Sequence, residues 1–156
     1  MRRKDKQILD KNKIEAIILD NNVLRLGLAN DNIPYVVPLN YAYQDGVFYL
    51  HSAREGRKLD MIKKNPHVCF EIDYKHQVIE GDIACKYTMA YQSIIGYGQA
   101  EIVKDMEDIR QGLKILMTNF SDQAFTFSDK MLKAVSLIKI HVEEMTAKGK
   151  VPVMKE

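Results

Sequence analysis

Two cysteines in 156 residues, Cys69 and Cys85, are too few for the disulfide framework that holds small secreted domains together. No stretch approaches the roughly 20 apolar residues that a membrane-spanning helix needs. The opening residues MRRKDKQILDKNKIE carry positive charge without the apolar run of a signal peptide. A cytoplasmic protein with no membrane partner is therefore expected. Neither charge sign dominates: 23 Lys and Arg against 21 Asp and Glu leave a formal charge of +2. The basic clusters Arg2-Arg3-Lys4 and Lys63-Lys64 are short, whereas nucleic acid calls for a concentrated basic stripe, so no nucleic-acid partner is expected. Linkers, repeats and low-complexity blocks are also lacking, and residues 1–156 read as a single domain. The hydrophobic share of 46% suffices for a core without metal or disulfide staples.

The patterned segments are mostly β. A helix is predicted from about Lys4 to Asp20, split near Asn12, with Ile8, Ile14, Ile17 and Ile18 as its apolar positions. Val23 to Ala29 alternates through Leu24, Leu26 and Leu28. Ile33 to Tyr43 places Ile33, Tyr35, Val37, Leu39, Tyr41 and Tyr43 on one face. Asp45-Gly46 is a tight hairpin turn into Val47 to His51, because both residues accept positive φ. A short helix is expected over Glu55 to Asn65, stopped by Pro66. Strands follow at His67 to Asp73 and Tyr87 to Val103, with Lys75 to Lys86 as a polar loop or edge. Asp105 caps an amphipathic helix to about Asn119, a helical turn follows Ser128, and Ala134 to Val142 is the last strand before a polar tail. About six antiparallel strands with few helices imply a closed or nearly closed barrel, since closure removes sticky edges.

Three segments can carry chemistry. His51-Ser52-Ala53-Arg54-Glu55-Gly56-Arg57-Lys58 lies where a strand gives way to a helix, a place whose free N–H groups favour anions. Ser52 offers a hydroxyl, Arg57 a bidentate fork, Lys58 a mobile charge and Gly56 a close approach, which suits a phosphate monoester. The alternative is a capping box, Ser52-x-x-Glu55, with Arg57 and Lys58 on a solvated face. In Ile33 to Tyr41, Pro38 cannot donate to a ladder, so it needs an edge, a bulge or a neighbour other than a strand, such as a flat aromatic ligand. Asn40 could offer both a donor and an acceptor to a heterocycle. The third segment, Tyr91-Gln92-Ser93 into Gly96-x-Gly98, is no dinucleotide fingerprint, because Glu101 stands where the third glycine belongs. The spacings of His67, Cys69, His76 and Cys85 match no zinc pattern, so no metal is expected.

Met1-Arg2-Arg3, Pro34-Tyr35-Val36-Val37-Pro38-Leu39-Asn40-Tyr41, His51-Ser52-Ala53-x-x-Gly56-x-Lys58, Asn65-Pro66-x-Val68-Cys69-Phe70-Glu71, Tyr91-x-Ser93-x-x-Gly96-x-Gly98 and Met145-Thr146-x-Lys148 occur in that order. Together they resemble the nitroimidazole-resistance (NimA-like) family of the pyridoxamine 5′-phosphate oxidase-like flavin-binding split barrels, over nearly the whole chain. The resemblance implies a six-stranded antiparallel split β-barrel with flanking helices. It also implies a homodimer that holds FMN, or less often FAD, near its interface. Val36, Val37, Pro38, Leu39 and Asn40 would run beside the isoalloxazine ring. His51, Ser52, Ala53, Gly56, Arg57 and Lys58 would surround the ribityl phosphate, with Ser93 and Tyr91 completing the pocket. Tyr74 to Thr88 matches nothing in the family pattern.

The implied activity is reduction of a small acceptor, nitroaromatic drugs among them, with electrons from NAD(P)H. His51 would be either a proton donor or only a cofactor contact. Rival readings are a non-catalytic flavin carrier or redox sensor, a pyridoxamine-phosphate oxidase, a barrel that has lost its flavin, and a haem-binding variant.

Overall fold

A computed structural model describes residues 2–150. A 3-10 turn at Lys4–Lys6 leads into β1 (Gln7–Ile8) and α1 (Lys11–Leu19). β2 (Val23–Asn30), β3 (Ile33–Gln44) and β4 (Val47–Ser52) follow, then α2 (Arg57–Lys64) and β5 (His67–Ile79). A second 3-10 turn (Ala84–Lys86) precedes β6 (Thr88–Ile102), α3 (Met106–Met117), α4 (Asp129–Leu132) and β7 (Ser136–Lys150).

Six of the strands pair in a ring in the order β7-β4-β3-β2-β5-β6, which closes because β6 also pairs with β7. Every pairing is antiparallel. The expected split β-barrel is thus present, with two-residue β1 added on the edge of β7, where Gln7 faces Lys148 and Ile8 faces Ala147. Both tight hairpins use residues that tolerate positive φ: Asp31 and Asn32 join β2 to β3, and Asp45 and Gly46 join β3 to β4.

Several expected boundaries differ. The first helix begins at Lys11, because the Asp10 carboxylate caps it by accepting from the N–H groups of Asn12 and Lys13. β5 runs on to Ile79 through a bulge after Tyr74, where Lys75 takes a φ of 56°. β7 continues eight residues past Val142, to Lys150, with Glu143 as an extra residue between the pairs Gly98–Val142 and Tyr97–Glu144. A bulge bends a strand and lets it serve two neighbours. Here β7 pairs with β4 through Ser136 to His141 and with β6 through Ile138 to Lys150.

Inside the ring lie Leu24, Leu26, Leu50, Ile72, Ile94, Ile138 and Ile140, around the mutually tilted rings of Phe48 and Phe70, whose centroids are 4.8 Å apart. Tyr41 completes this packing edge-on to Phe48, and its hydroxyl donates to the Ile18 carbonyl at 2.6 Å, tying α1 over one end. A second apolar cluster forms outside the barrel. There α3 lays Ile109, Leu113 and Leu116 over Ala42 and Leu137, with Leu132 of α4 beside them. Gly112 permits this close approach, since a Cβ there would strike the Leu137 side chain. No helix among the described residues is long and apolar enough to cross a membrane.

Candidate functional site

The clearest concentration of chemistry lies where β4 ends and α2 begins. Tyr41–Leu50 is the last pair of the β3–β4 ladder, so Asn40 and His51 follow it directly on the two strands. Tyr41 and Leu50 are buried, while Asn40 and His51 are exposed, as strand alternation requires. Pro38 and Val36 continue the exposed face of β3 beyond Asn40, and Val37 and Leu39 pack inward on the core. The Asn40 amide reaches back to the Asn22 carbonyl at 3.4 Å.

The capping box does not form. Ser52 donates its hydroxyl to the Ala53 carbonyl at 2.9 Å, and the helix starts later, at Arg57. Its N-cap is Gly56, at a φ of 131° that favours glycine, and no side chain accepts from the first turn. By contrast, α1, α3 and α4 are capped by Asp10, Asp105 and Ser128. The first N–H groups of α2 are therefore left for another acceptor. Arg57 and Lys58 stand at this end, and among the described residues neither lies within ion-pair distance of a carboxylate. The Arg57 guanidinium stacks 4.7 Å from the centroid of the Tyr35 ring. Lys58 is half-buried, and burial pushes its pKa down. A bound anion would supply the charge that both cations lack.

Tyr91 and Ser93 sit elsewhere. Ser93 faces Lys148 across the β6–β7 ladder, whereas Ser52 faces Ser136 across β4–β7. Those two positions lie twelve residues apart along β7, a contour of up to about 40 Å. Within one chain the two groups of candidates form separate patches. Ser93 is 6% exposed, and its hydroxyl is the one buried side-chain polar atom without a hydrogen-bond partner among the described residues. With Ile95, Thr146 and Lys148 it lines a notch of about 140 Å³. Lys148 and Lys6 both hold their ammonium groups within 6 Å of the Tyr91 ring centroid.

Between the patches runs the outer face of the barrel. Register aligns Val36, Gly27, Cys69, Tyr97 and Glu144 in one row across five strands. Gly27 leaves the row low beside Val36, and Val36 (65% exposed) and Tyr97 (51%) wall an apolar groove of about 540 Å³. The next row holds Arg25, Glu71, Ile95 (39% exposed) and Thr146. Arg25 bonds the Asp73 carboxylate at 2.5 Å, and burial followed by Asp73 pushes the Glu71 carboxyl up. No three His, Cys, Asp or Glu side chains among the described residues stand close enough to hold a metal ion. The Arg57–Tyr35 stack and the Ser93–Lys148 pairing carried no signal in the sequence, since both join residues far apart in the chain.

The family model for pyridoxamine 5′-phosphate oxidase matches residues 10–149. A candidate 5-nitroimidazole antibiotic resistance protein from Bacteroides thetaiotaomicron is 35% identical, with a TM-score of 0.83 over 92% of this chain and 86% of its own. An FAD and haem binding protein from Mycobacterium smegmatis has the same fold at 14% identity, with a TM-score of 0.85 over 97% of this chain and 76% of its own. The uncharacterized protein RA0666 of Rhizobium meliloti is 27% identical over 66 residues, and the match spans 42% of this chain and 43% of that relative. With the ring topology above, these likenesses make the chain a member of the pyridoxamine 5′-phosphate oxidase-like split-barrel family.

Proposed function

We propose that the chain binds a flavin nucleotide between two copies of itself and serves to reduce a small acceptor. The observation that carries this reading is the start of α2. Two cations without carboxylate partners among the described residues, Arg57 and Lys58, stand at a helix end whose first N–H groups have no capping side chain. That donor set fits a phosphate monoester. Ser52 would add its hydroxyl by turning from the Ala53 carbonyl, and Ala53 and Gly56 would let the chain pass close to the phosphate. The exposed edge from Val36 to Asn40 would lie along the isoalloxazine ring, with Val36 and Pro38 excluding water and Asn40 bonding the heterocycle. Bound flavin supplies electron or hydride transfer, which the side chains themselves do not.

His51 is exposed beside this face, and its imidazole would hold a proton near the ring or contact the phosphate. The separation of the Ser93–Lys148 notch from α2 supports a site shared between two copies. A second copy on the outer face would cover Val36, Ile95 and Tyr97 and bring its own Tyr91, Ser93 and Lys148 to the flavin. The unpartnered Ser93 hydroxyl would then gain its missing bond. The name of the 35% identical Bacteroides protein supports nitroimidazoles as an acceptor class, and the Mycobacterium protein shows FAD and haem on this fold.

The test is anaerobic: flavin-loaded protein is mixed with NADPH, then with a 5-nitroimidazole. The reductase reading expects the flavin to bleach and then to recover its colour as the drug is consumed. Flavin that stays oxidised with NADPH and with dithionite-free alternative donors marks a carrier or sensor instead.

A further inference from the structure

Between α2, α3 and α4 lies a cavity of about 540 Å³, and none of Ser52, Gly56, Arg57 and Lys58 lines it. Four cations line it and no carboxylate does. Arg54 comes from the β4–α2 connection, Lys63 from the last turn of α2, Lys104 from the β6–α3 connection and Lys133 from the end of α4. Lys63 and Lys133 stand at helix C-terminal ends, where the dipole favours a cation. Arg54 and Lys104 have no such reason to be there. The Arg54 guanidinium is anchored by a 2.7 Å hydrogen bond to the Lys133 carbonyl, one bond for a group that carries five N–H donors. Among the described residues Arg54, Lys104 and Lys133 have no carboxylate within ion-pair distance. Lys63 reaches Asp60 at 3.5 Å, an exposed pair worth little in water. Asp105, next in sequence to Lys104, spends its carboxylate capping α3.

The floor is made by Leu59, Val103, Ile109 and Leu132, all buried, whereas the four cations are exposed. Apolar surface thus lies within and positive charge outside. No aromatic ring is among the lining residues, so a flat ring system would find nothing to stack on, while an aliphatic chain needs only such a surface. Met106, also in the lining, can adapt to the shape of a chain. The volume falls within the range of about 300–1,000 Å³ usual for small-molecule sites. A headgroup anion would be attracted by all four cations at once, and each methylene removed from water would add affinity. We infer that this cavity binds an aliphatic chain ending in a carboxylate, a free medium-chain fatty acid. A bilayer lipid presents the same chemistry, but its chain stays in the membrane, whereas this floor is buried among α2, α3 and α4 and has to be reached by a single chain. The inference does not rest on the flavin reading above.

The test is isothermal titration calorimetry of the full chain with hexanoate, octanoate and decanoate. It is repeated on Lys104→Glu/Lys133→Glu, whose altered side chains are exposed and outside both apolar clusters. The expected result is one decanoate per chain, with affinity rising about threefold or more for each two methylenes added. The charge reversal should weaken decanoate binding about tenfold or more. A melting curve shows whether that variant is folded, and Lys104→Gln/Lys133→Gln takes its place if it is not. Arg57→Ala/Lys58→Ala, outside the cavity lining, should bind decanoate within about twofold of the parent. No binding to the parent, an affinity indifferent to chain length, or binding that survives the charge change would overturn the inference. Loss of binding in the Arg57 and Lys58 variant would overturn it too, by putting the ligand at the start of α2. Sedimentation of the chain with phosphatidylglycerol vesicles, without decanoate binding in solution, would overturn it in favour of a membrane surface.

Discussion

The guanidinium of Arg57 lies 4.7 Å from the centroid of the Tyr35 ring, joining the first residue of α2 to the face of β3. Stacking holds a planar cation in place without neutralising it, so the fork stays free to grip an anion. Replacing Arg57 and Lys58 together by Ala should therefore weaken flavin binding by about a hundredfold or more, at about 1.5–3 kcal/mol for each charge-assisted bond. Tyr35→Leu should weaken it less, because the charge remains and only its aim is lost. Titration of the three proteins with FMN checks the ranking. Unchanged affinity in the double variant would move the phosphate site elsewhere.

Ser93 presents the opposite case, a buried hydroxyl without a partner. Ser93→Ala removes the desolvation of that group, so the flavin-free protein should gain about 1 kcal/mol, or about 2–4 °C in Tm. The same change should weaken flavin binding, since the hydroxyl is proposed to be satisfied by the ligand. Thermal melts with and without FMN separate the two effects. A lower Tm without flavin would show that Ser93 already has its bond.

Two glycines of the barrel should respond differently to alanine. At Gly98 a Cβ would collide with the His141 carbonyl and stand 3.2 Å from Ile140 Cγ2, and a strand backbone cannot step aside. Gly98→Ala should lose about 1–3 kcal/mol. At Gly27 the nearest atoms are ordinary contacts at 3.4 and 3.6 Å from Cys69, so Gly27→Ala should change stability by about 0.5 kcal/mol or less. Urea denaturation of both variants measures the contrast.

Glu71 gives a pH dependence whose sign is fixed. Burial, then the Asp73 carboxylate, raises its pKa, and Arg25 at 3.6 Å offsets only part of this. Between the ordinary glutamate range and the raised value, the folded chain binds more protons than the unfolded one, so Glu71 lowers stability as pH rises through that window. Glu71→Gln should accordingly be more stable than the parent at pH 7, with the gain fading below about pH 4.3. Melting curves across that range check it, and a less stable variant at pH 7 would show that the Arg25 pair dominates.

Much of this was legible in the sequence because the relevant signals are local. The Asp45-Gly46 hairpin, the Asp105 cap and the inward row Val37, Leu39 and Tyr41 all follow from residue type and period. The far end of β7 was hidden by its bulge: inward residues are Ile138, Ile140 and Val142 before Glu143, and Met145 and Ala147 after it. The switch from even to odd positions breaks the alternation that marks a strand. β5 past Lys75 was hidden for another reason: residues 75–78 are exposed and offer no apolar alternation. The Ser52-x-x-Glu55 pattern pointed to a cap, yet Gly56 at φ 131° starts the helix and leaves that end open. Pairings such as Ser93 with Lys148 and the cation-lined cavity exist only once the ring has closed.

The central claim is that this chain holds a flavin. The most direct measurement is the visible absorption spectrum of the purified, desalted protein, before and after incubation with excess FMN or FAD. The account predicts the two absorption bands of an oxidised flavin, retained through desalting and lost in the Arg57→Ala/Lys58→Ala variant. A protein that stays colourless after both incubations would contradict it.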